Sequence, residues 1–454
     1  MIACLCHLRR NIQLQCLNQL APKTHACRRG AIDSGYAADV PSPNPFAILG
    51  AGFSRAVSEL MPTTSQLTEA VLNHLRLEPE SLAPFGGDLE RWMSFIAVDQ
   101  PWLSDGQNLR NRGLFNEAAE AVDNVILEQE KKAATEPLPI WLRRLVWTWC
   151  DAEANIVTFN YDTLIERCIR SMGRVSTLGD VYAISLSERL PVGVHHMFAS
   201  SDPRGGVLRL HKMHGSTNWG FGGLTGPASD RIVLTNEDLR WVSHAQPSTP
   251  KLPRYASQFD DLYPLIVPPT FSKGPYYGNL ALRGQWRRAW GALRDASDVS
   301  IIGYSFPLGD LTTREWLGTA INSSIDVSVV DLDTAVAERV RTLTPHANVL
   351  DRTGKGAVEA YVDRVCGDHL EWEIEEEDNN PPPRISVLVN GVEVAPQGLS
   401  NRVWGAGLES AKRWVHSRVE AAGSRIETSL NLNAEGLVRE HRIAVLPPGH
   451  RFIA

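Results

Sequence analysis

Residues 46–54, with the sequence FAILGAGFS, decide how the fold begins. Four apolar residues lead into Gly50, Ala51 and Gly52, a pattern typical of a buried strand that ends in a tight glycine turn. Such a turn lets the backbone approach a ligand closely, and its exposed N–H groups can hold a pyrophosphate. The alternative is a tight turn without a ligand, because Arg55 stands where the dinucleotide-binding fingerprint has its third glycine or alanine.

Four further apolar runs have the length of buried strands. They lie at residues 156–159, 207–210, 299–302 and 325–330. Because helical sequence alternates with these runs, we expect an α/β fold with a Rossmann-like parallel sheet and helices on both faces. Trp141, Leu145 and Trp149 recur every four residues, which predicts a helix at the end of a helical insertion over about residues 65–150.

Composition divides the rest of the chain. Residues 1–40 have five basic residues and little apolar pattern, so we expect a disordered leader or an upstream start rather than part of the fold. The predicted segments after it are an α/β domain at 45–365, an acidic, proline-containing linker at 371–384 and a small C-terminal α+β module at 385–454. In that module the sequence predicts a hairpin with an Asn390-Gly391 turn and a helix near residues 406–421.

The charge and cysteine content exclude several classes of protein. Forty-five Lys and Arg against 52 Asp and Glu give a formal net charge of -7, so there is no strong signal for a nucleic-acid or membrane-surface partner. No apolar stretch is long enough for a membrane-spanning helix. The seven cysteines contain no C-x-x-C pair, which argues against a zinc ribbon and a disulfide framework. We therefore expect a cytoplasmic protein without a bound metal.

The chemical candidates follow the predicted strands, because ligands of an open parallel sheet bind at the carboxyl ends of its strands. His214 could accept a proton near neutral pH, or it could be a structural histidine. Asn160 could bind a ribose hydroxyl or a water, or it could close the turn after its strand. Asp162 could support the same chemistry, or it could cap the following helix.

Four motifs, taken together and in this order, resemble those of the sirtuin-like NAD-consuming family. They are Gly50-Ala51-Gly52-Phe53-Ser54, Phe159-Asn160-Tyr161-Asp162, Met213-His214-Gly215 and Gly303-Tyr304-Ser305-Phe306-Pro307. The resemblance covers about residues 45–365. It is closest to the sirtuin-like domains of bacterial antiphage defence systems, which look like hydrolases that deplete NAD upon infection.

This resemblance implies that NAD is the substrate and that the bond between nicotinamide and ribose is cleaved to give ADP-ribose and nicotinamide. It implies a catalytic role for His214, with Asn160 and Asp162 facing the nicotinamide ribose. The implied cofactor-binding residues are Gly50, Ala51, Gly52, Phe53, Ser54, Gly303, Ser305 and Asp331. The first five would wrap the pyrophosphate, and the last three would contact the adenosine half, where an acidic side chain suits the ribose hydroxyls.

Two departures from the protein-deacylating sirtuins separate the candidate functions. The chain lacks their four zinc-binding cysteines, and residues 61–64 read MPTT where those enzymes have an Asp-Phe-Arg segment. A module that senses NAD or ADP-ribose without turnover is the alternative to hydrolysis, and a protein deacylase comes third. The resemblance also suggests a homo-oligomer. Because the chain has no ATPase loop of its own, a partner ATPase, a signalling nucleotide or a phage protein could be the trigger.

Overall fold

The computed structural model of the protein describes most of the chain. The described residues are 44–172, 174–175, 180–184, 187–188, 207–222, 233–234, 262–271, 273–307, 309–321, 323–376, 384–393, 427–432 and 438–451. The leader predicted for residues 1–40 and the helix predicted near residues 406–421 lie outside them.

A six-stranded parallel sheet forms the centre of the described fold, as predicted. In order across the sheet its strands are β10 (Asn348–Asp351), β9 (Asp326–Val330), β8 (Asp298–Ile302), β1 (Pro45–Leu49), β2 (Asn155–Thr158) and β4 (Arg209–Lys212). Strand β1 lies between β2 and β8, and Leu49 is in register with Thr158 on one side and Ile302 on the other. The carboxyl ends of these three strands therefore lie side by side.

Two details of the sheet differ from the sequence prediction. Strand β4 begins two residues later than the predicted run at 207–210, with Arg209 exposed on it. Strand β10 was not predicted, because residues 348–351 are only half-buried or exposed and contain no continuous apolar run. An edge strand needs only one neighbour, so its sequence carries a weaker hydrophobic signal.

Ten α-helices are described. In chain order they are α1 (Ala51–Val57), α2 (Thr64–Leu75), α3 (Leu89–Ile96), α4 (Asp105–Ala133), α5 (Ile140–Asp151), α6 (Leu164–Ser171), α7 (Leu280–Arg294), α8 (Leu311–Ala320), α9 (Ala335–Leu343) and α10 (Ala357–Val365). None of these described helices is both long and apolar enough to cross a membrane.

The helices cover both faces of the sheet. Along β1, Ala47 and Leu49 join one buried cluster, whereas Phe46 and Ile48 join another. Residues of α5, α6 and α10 contribute to the first cluster, and residues of α8 and α9 contribute to the second. The alternation of strand side chains thus builds two cores, which confirms the prediction of helices on both faces.

The predicted helical insertion comprises α2 to α5, and α2, α3 and α4 enclose a core of their own. Val71, Met93 and Val122 are fully buried there. The starts of α2 and α4 are fixed by capping boxes at Thr63 and Ser104. The insertion is therefore a folded helical layer with its own packing.

A small four-stranded sheet, which was not predicted, lies beside the central one. Its strands, in order, are β3 (Ser187–Glu188), β6 (Val233–Leu234), β5 (Gly215–Gly222) and β7 (Leu262–Ile266). Two residues separate the end of β4 from the start of β5 at Gly215. Gly215 has a φ of 80° and lies against the carbonyl of Leu265. The chain reverses at this point, which places His214 between the two sheets.

The C-terminal module is a five-stranded antiparallel sheet, and it corrects the prediction of a linker at 371–384. The strands, in order, are β13 (Val392–Glu393), β12 (Arg384–Val389), β11 (His369–Glu376), β15 (Val438–Val445) and β14 (Glu427–Leu432). The first six residues of the predicted linker, 371–376, therefore belong to β11, the central strand of this sheet. In the sequence HLEWEIEE apolar residues alternate with acidic ones, and Leu370 and Trp372 are fully buried. Alternation of period two describes a strand, so charge density alone predicted the wrong structure.

The predicted Asn390-Gly391 turn joins β12 to β13, with both residues at positive φ.

Candidate functional site

Side chains from the ends of β1 and β2 form one hydrogen-bond network. Asn160 donates from Nδ2 to the carbonyl of Gly50 and to Ser54 Oγ, both at 2.7 Å. Ser54 Oγ in turn donates to Asp162 Oδ2 at 2.5 Å. Asp162 also accepts the amide of Leu164 at 3.3 Å, so it contributes to the start of α6 as well. The structure thus brings Ser54, Asn160 and Asp162 together, as adjacent parallel strand ends predict.

Thr163 and Glu166 have the sequence spacing of a capping box, but they do not form one. The Thr163 side chain donates to Glu130 instead, and it does not cap α6. Glu130 is fully buried in α4 and also accepts the hydroxyl of Thr217 at 3.0 Å. The helical insertion is therefore anchored to the loop after β2 and to strand β5, a long-range contact that no local sequence pattern reveals.

The glycine turn after β1 packs directly against the turn after β8. The amide of Gly52 donates to the carbonyl of Gly303 at 2.9 Å, and the amide of Gly50 donates to Ile302 at 3.2 Å. A Cβ atom on Gly52 would lie 2.8 Å from Gly303 Cα. Backbone packing therefore explains these glycines, and the amides of Gly50 and Gly52 are hydrogen-bonded inside the protein.

His214 is almost completely buried, with 7% of its surface exposed. Its ring meets the ring of Phe159 edge to face at 5.1 Å, and its Nε2 atom has no hydrogen-bond partner among the described residues. Burial and the nearby Lys273 ammonium lower the pKa of His214 to about 3, although Asp310 and a hydrogen bond that the ring donates to the backbone of Phe159 oppose the shift. The imidazole is therefore neutral at physiological pH. An unpartnered buried nitrogen is uncommon and is available to a ligand.

The depressed pKa of His214 makes folding depend on pH. Between pH 6.5 and about 3 the unfolded chain binds a proton at this histidine and the folded chain does not, so acid destabilises the fold. Between pH 6.5 and pH 5, this one group lowers the free energy of unfolding by at most ~2 kcal/mol. We expect the free energy of unfolding of His214→Gln, measured with urea at pH 7 and pH 5, to fall less than that of the parent. An equal fall in both proteins would contradict this prediction.

A buried ion pair holds the loop that carries Asn160 and Asp162. Lys212 is fully buried and lies 3.4 Å from Glu166 Oε1, and its ammonium donates to the carbonyls of Tyr161 and Asp162. Burial raises the pKa of Glu166, and Lys212 opposes that rise. Sequence analysis missed Lys212. The only signal was a lysine inside an apolar strand, two residues before His214.

Lys212→Met should destabilise the fold by roughly 3 kcal/mol, because it leaves the buried Glu166 carboxyl without its cation and removes the lysine donor of the Asp162 carbonyl. Urea unfolding measures this loss. Lys132→Met is the matched control, since Lys132 pairs with Glu128 on the exposed surface of α4 and its loss should change stability by at most about 0.5 kcal/mol. Equal effects of the two substitutions would refute the assignment.

A second charged cluster, which the sequence analysis also missed, lies near His214. Asp310 is 4% exposed, accepts the Tyr304 hydroxyl at 2.6 Å and lies 3.3 Å from Lys273 Nζ. Lys273 is 6% exposed and is also 3.6 Å from Glu90 of α3. The Tyr304 ring stacks on Phe159 at 4.6 Å, which connects this cluster to the ring that contacts His214.

The residues predicted for the adenosine half lie along the same sheet edge. Gly303 adopts a φ of 63° and packs against the first glycine turn, whereas Ser305 is exposed two residues later. Asp331 follows β9, one strand further out, and accepts the amide of Asp333 at 2.8 Å. Burial raises the pKa of Asp331. The roles of these three residues remain predictions.

No group of three or more His, Cys, Asp and Glu side chains within the described ranges is arranged to hold a metal ion. Cys150, Cys168 and Cys366 are buried free thiols. Burial raises the pKa of Cys150 and Cys366 to about 11, so these thiols stay protonated at neutral pH.

Comparisons with known proteins found one family model that matches part of the chain. Residues 154–330 match the family model of the SIR2-like domain. No curated protein matches the chain. Three similar solved structures each align with 71% of this chain. The first, described as the structural basis for the mechanism and regulation of Sir2 enzymes, is 12% identical to this chain. The alignment covers 92% of that structure's chain, with a TM-score of 0.34. A Sir2 complex with a p53 peptide and NAD+ is 11% identical and 92% covered, with a TM-score of 0.32. A Sir2 homologue in complex with NAD is 16% identical and 88% covered, with a TM-score of 0.34.

Proposed function

We propose that this protein, a member of the sirtuin-like family through its SIR2-like domain, hydrolyses NAD to ADP-ribose and nicotinamide. The observation that carries the proposal is that His214 packs against Phe159, the residue directly before Asn160, so that both groups follow strands at one edge of the parallel sheet. His214 offers an unpartnered, buried Nε2 atom, and Asn160 is held by Gly50 and Ser54. A neutral imidazole at the same sheet edge as a fixed amide and a carboxylate suits proton transfer at a ribose.

In this reaction the bond between C1′ of the ribose and the pyridine nitrogen breaks, and its electron pair neutralises the nicotinamide ring. Water then forms the new bond to C1′. His214 Nε2 takes a proton from that water or from a ribose hydroxyl, and Asn160 orients the water or the ribose. Because nicotinamide is a good leaving group, the protein mainly has to hold NAD and stabilise the cationic centre.

Asp162 supplies the negative charge nearest to this network. Its Oδ2 atom accepts from Ser54 and its Oδ1 atom accepts from the amide of Leu164, so both oxygens have fixed positions. A carboxylate that is held in place before the reaction stabilises a developing positive charge without reorganisation. The absence of paired cysteines from the sequence further favours hydrolysis over deacylation.

One assay separates the candidate functions. Purified protein is incubated with NAD, with and without an acyl-lysine peptide, and free nicotinamide is measured by chromatography. Nicotinamide release from NAD alone supports the hydrolase. Release only in the presence of the peptide would support the deacylase. No release under either condition, with or without the candidate activators named below, would refute the proposal.

A binding module is the second candidate, and one observation favours it. A histidine with a pKa near 3 is a weak base, unless the bound substrate raises that pKa. An NAD or ADP-ribose sensor would bind either ligand in a calorimeter and release no nicotinamide.

The setting that we propose is bacterial antiphage defence, in which NAD depletion stops the infected cell. Cells that carry the parent gene should lose NAD after infection, whereas cells that carry His214→Ala should retain it. A homo-oligomer, a partner ATPase, a signalling nucleotide and a phage protein are the candidate means of activation. Assays of the purified protein alone and with each of them would identify the trigger.

A further inference from the structure

Two buried charges lie close to His214 and have no role in the reaction described above. They are Asp310, at the start of α8, and Lys273, in the segment between β7 and α7. Lys273 Nζ is 3.3 Å from Asp310 Oδ1, and both side chains are more than nine-tenths buried. A buried ion pair usually contributes little to stability, because desolvation offsets the attraction. Charges of this kind beside a reactive group are more often functional.

Helix capping explains only part of the geometry at Asp310. Its Oδ1 atom accepts the amide of Thr313 at 3.4 Å, which is the contact of an N-cap. An N-cap needs neither a buried lysine nor the second contact, in which the Tyr304 hydroxyl donates to Oδ2 at 2.6 Å. The two extra contacts hold the carboxylate in one orientation. Tyr304 stacks on Phe159, and Phe159 contacts His214, so the orientation is coupled to the ring of the histidine.

The net charge of the cluster favours a proton on His214. Burial raises the pKa of Asp310, but His214, Lys273 and the Tyr304 hydrogen bond outweigh it, so the pKa is lowered and the carboxyl is ionised. Lys273 neutralises one carboxylate, and Glu90 of α3 is the other carboxyl group within 4 Å of it. Burial raises the pKa of Glu90, Lys273 opposes that rise, and the carboxylates of Asp310 and Asp88 add to it. Tyr161 and Tyr277 also interact with Asp310. With both carboxyls ionised, the cluster carries one negative charge, and a proton on His214 cancels it.

We propose that Asp310 is the positioning carboxylate that stabilises the protonated form of His214 during turnover, and that Lys273 holds Asp310 and opposes protonation in the resting protein. This inference rests on the proposed function. The proton that His214 takes from the water or the ribose hydroxyl stays on the imidazole until product release, and Asp310 itself is not protonated. Asp310 thus acts through His214 and does not contact the substrate.

The test is the titration of His214 in the full chain without NAD, followed by nitrogen NMR of labelled histidine. His214→Gln identifies the signal. Lys273→Met removes the opposing charge and should raise the pKa of His214 by one unit or more. Addition of Asp310→Asn to that variant should reverse the rise. Asparagine caps helices as well as aspartate does, so α8 should remain intact.

If the Lys273–Asp310 pair has only a structural role, the pKa of His214 in the folded variants will equal that in the parent. That result would overturn the proposal. Glu338→Gln, a neutralisation on the exposed face of α9, is the matched control and should leave the titration unchanged. If the double variant fails to fold, Lys273→Met alone decides the outcome.

The kinetic arm measures nicotinamide release. Asp310→Asn should lower kcat by about 10²-fold with little change in KM, since a group that supports the base acts in the transition state. If the parent protein releases no nicotinamide, only the proposed function is refuted. The titration of His214 is measured without NAD and still tests the role of the Lys273–Asp310 pair. Normal kcat in folded Asp310→Asn would refute the role of Asp310 and leave the hydrolase intact.

Discussion

His214→Ala should lower the turnover of NAD by about 10²- to 10⁴-fold, the usual range for the loss of a positioned base. The Nε2 atom of His214 has no hydrogen-bond partner among the described residues, so its removal leaves no protein group unpaired on that side. NAD affinity should survive, because the proposed role concerns the reacting bond. Nicotinamide release measures turnover, and calorimetry measures binding.

A melting curve must accompany the His214 variant, because the side chain is buried against Phe159 and a folding defect would imitate lost catalysis. His211→Ala is a useful comparison. His211 is as buried as His214, but its ring hydrogen-bonds to Asn155 at 3.2 Å within the sheet. Parent activity in a folded His214→Ala variant would make His214 a structural histidine and favour the binding module.

Asn160→Ala should reduce turnover in the same way. In the double variant with His214→Ala, kcat should fall by a much smaller factor than the product of the two single effects. Asn160 holds both Gly50 and Ser54, so its loss should also lower stability by about 1 to 3 kcal/mol. Independent effects on kcat in the double variant would show that the two residues do not act as one unit.

Gly303→Ala should abolish folding, which is the largest stability effect that we expect. Gly303 has a φ of 63°, and a Cβ atom there would lie 2.1 Å from the amide nitrogen of Phe53. The same Cβ atom would lie 2.5 Å from the carbonyl carbon of Gly52, and both Gly52 and Phe53 belong to the backbone of the first turn of α1, directly after β1. The clash is therefore relieved only if α1 moves away from the turn after β8. The penalty approaches the total stability of a typical domain, ~5 to 15 kcal/mol. We expect no cooperative melting transition.

Gly113→Ala is the matched control. Gly113 is exposed in the middle of α4, and a Cβ atom there would meet nothing within 4 Å. This substitution should therefore stabilise the protein by about 0.5 to 1 kcal/mol, because alanine favours the helix. A folded Gly303→Ala variant with a normal melting temperature would contradict the close approach of the two turns.

The same geometry changes the interpretation of Gly52. If the glycine turn held the pyrophosphate of NAD, a side chain at Gly52 would obstruct it, and Gly52→Val would be a selective binding variant. In the structure a side chain at Gly52 meets the backbone of Gly303 first. Gly52→Val should therefore fail to fold, and it cannot serve as a control for binding.

The sequence by itself determined the parallel sheet and the residues that follow its strands. Buried strands require continuous apolar runs, and parallel strands require helices between them, so residues 46–49, 156–159 and 299–302 carried the prediction. Because the carboxyl ends of such strands share one edge, the proximity of Asn160 to the turn at Gly50 followed as well.

Only the tertiary structure decided which side chains surround His214 and what the glycines are for. Lys273, Asp310 and Glu90 come from three separate segments, and their approach depends on how helices and loops pack, which no local pattern encodes. The same holds for Gly52 and Gly303, since a glycine that binds phosphate and a glycine that admits a neighbouring backbone look alike in a sequence. Periodicity records how each element buries its own surface, whereas contacts between distant segments exist only after those surfaces have met.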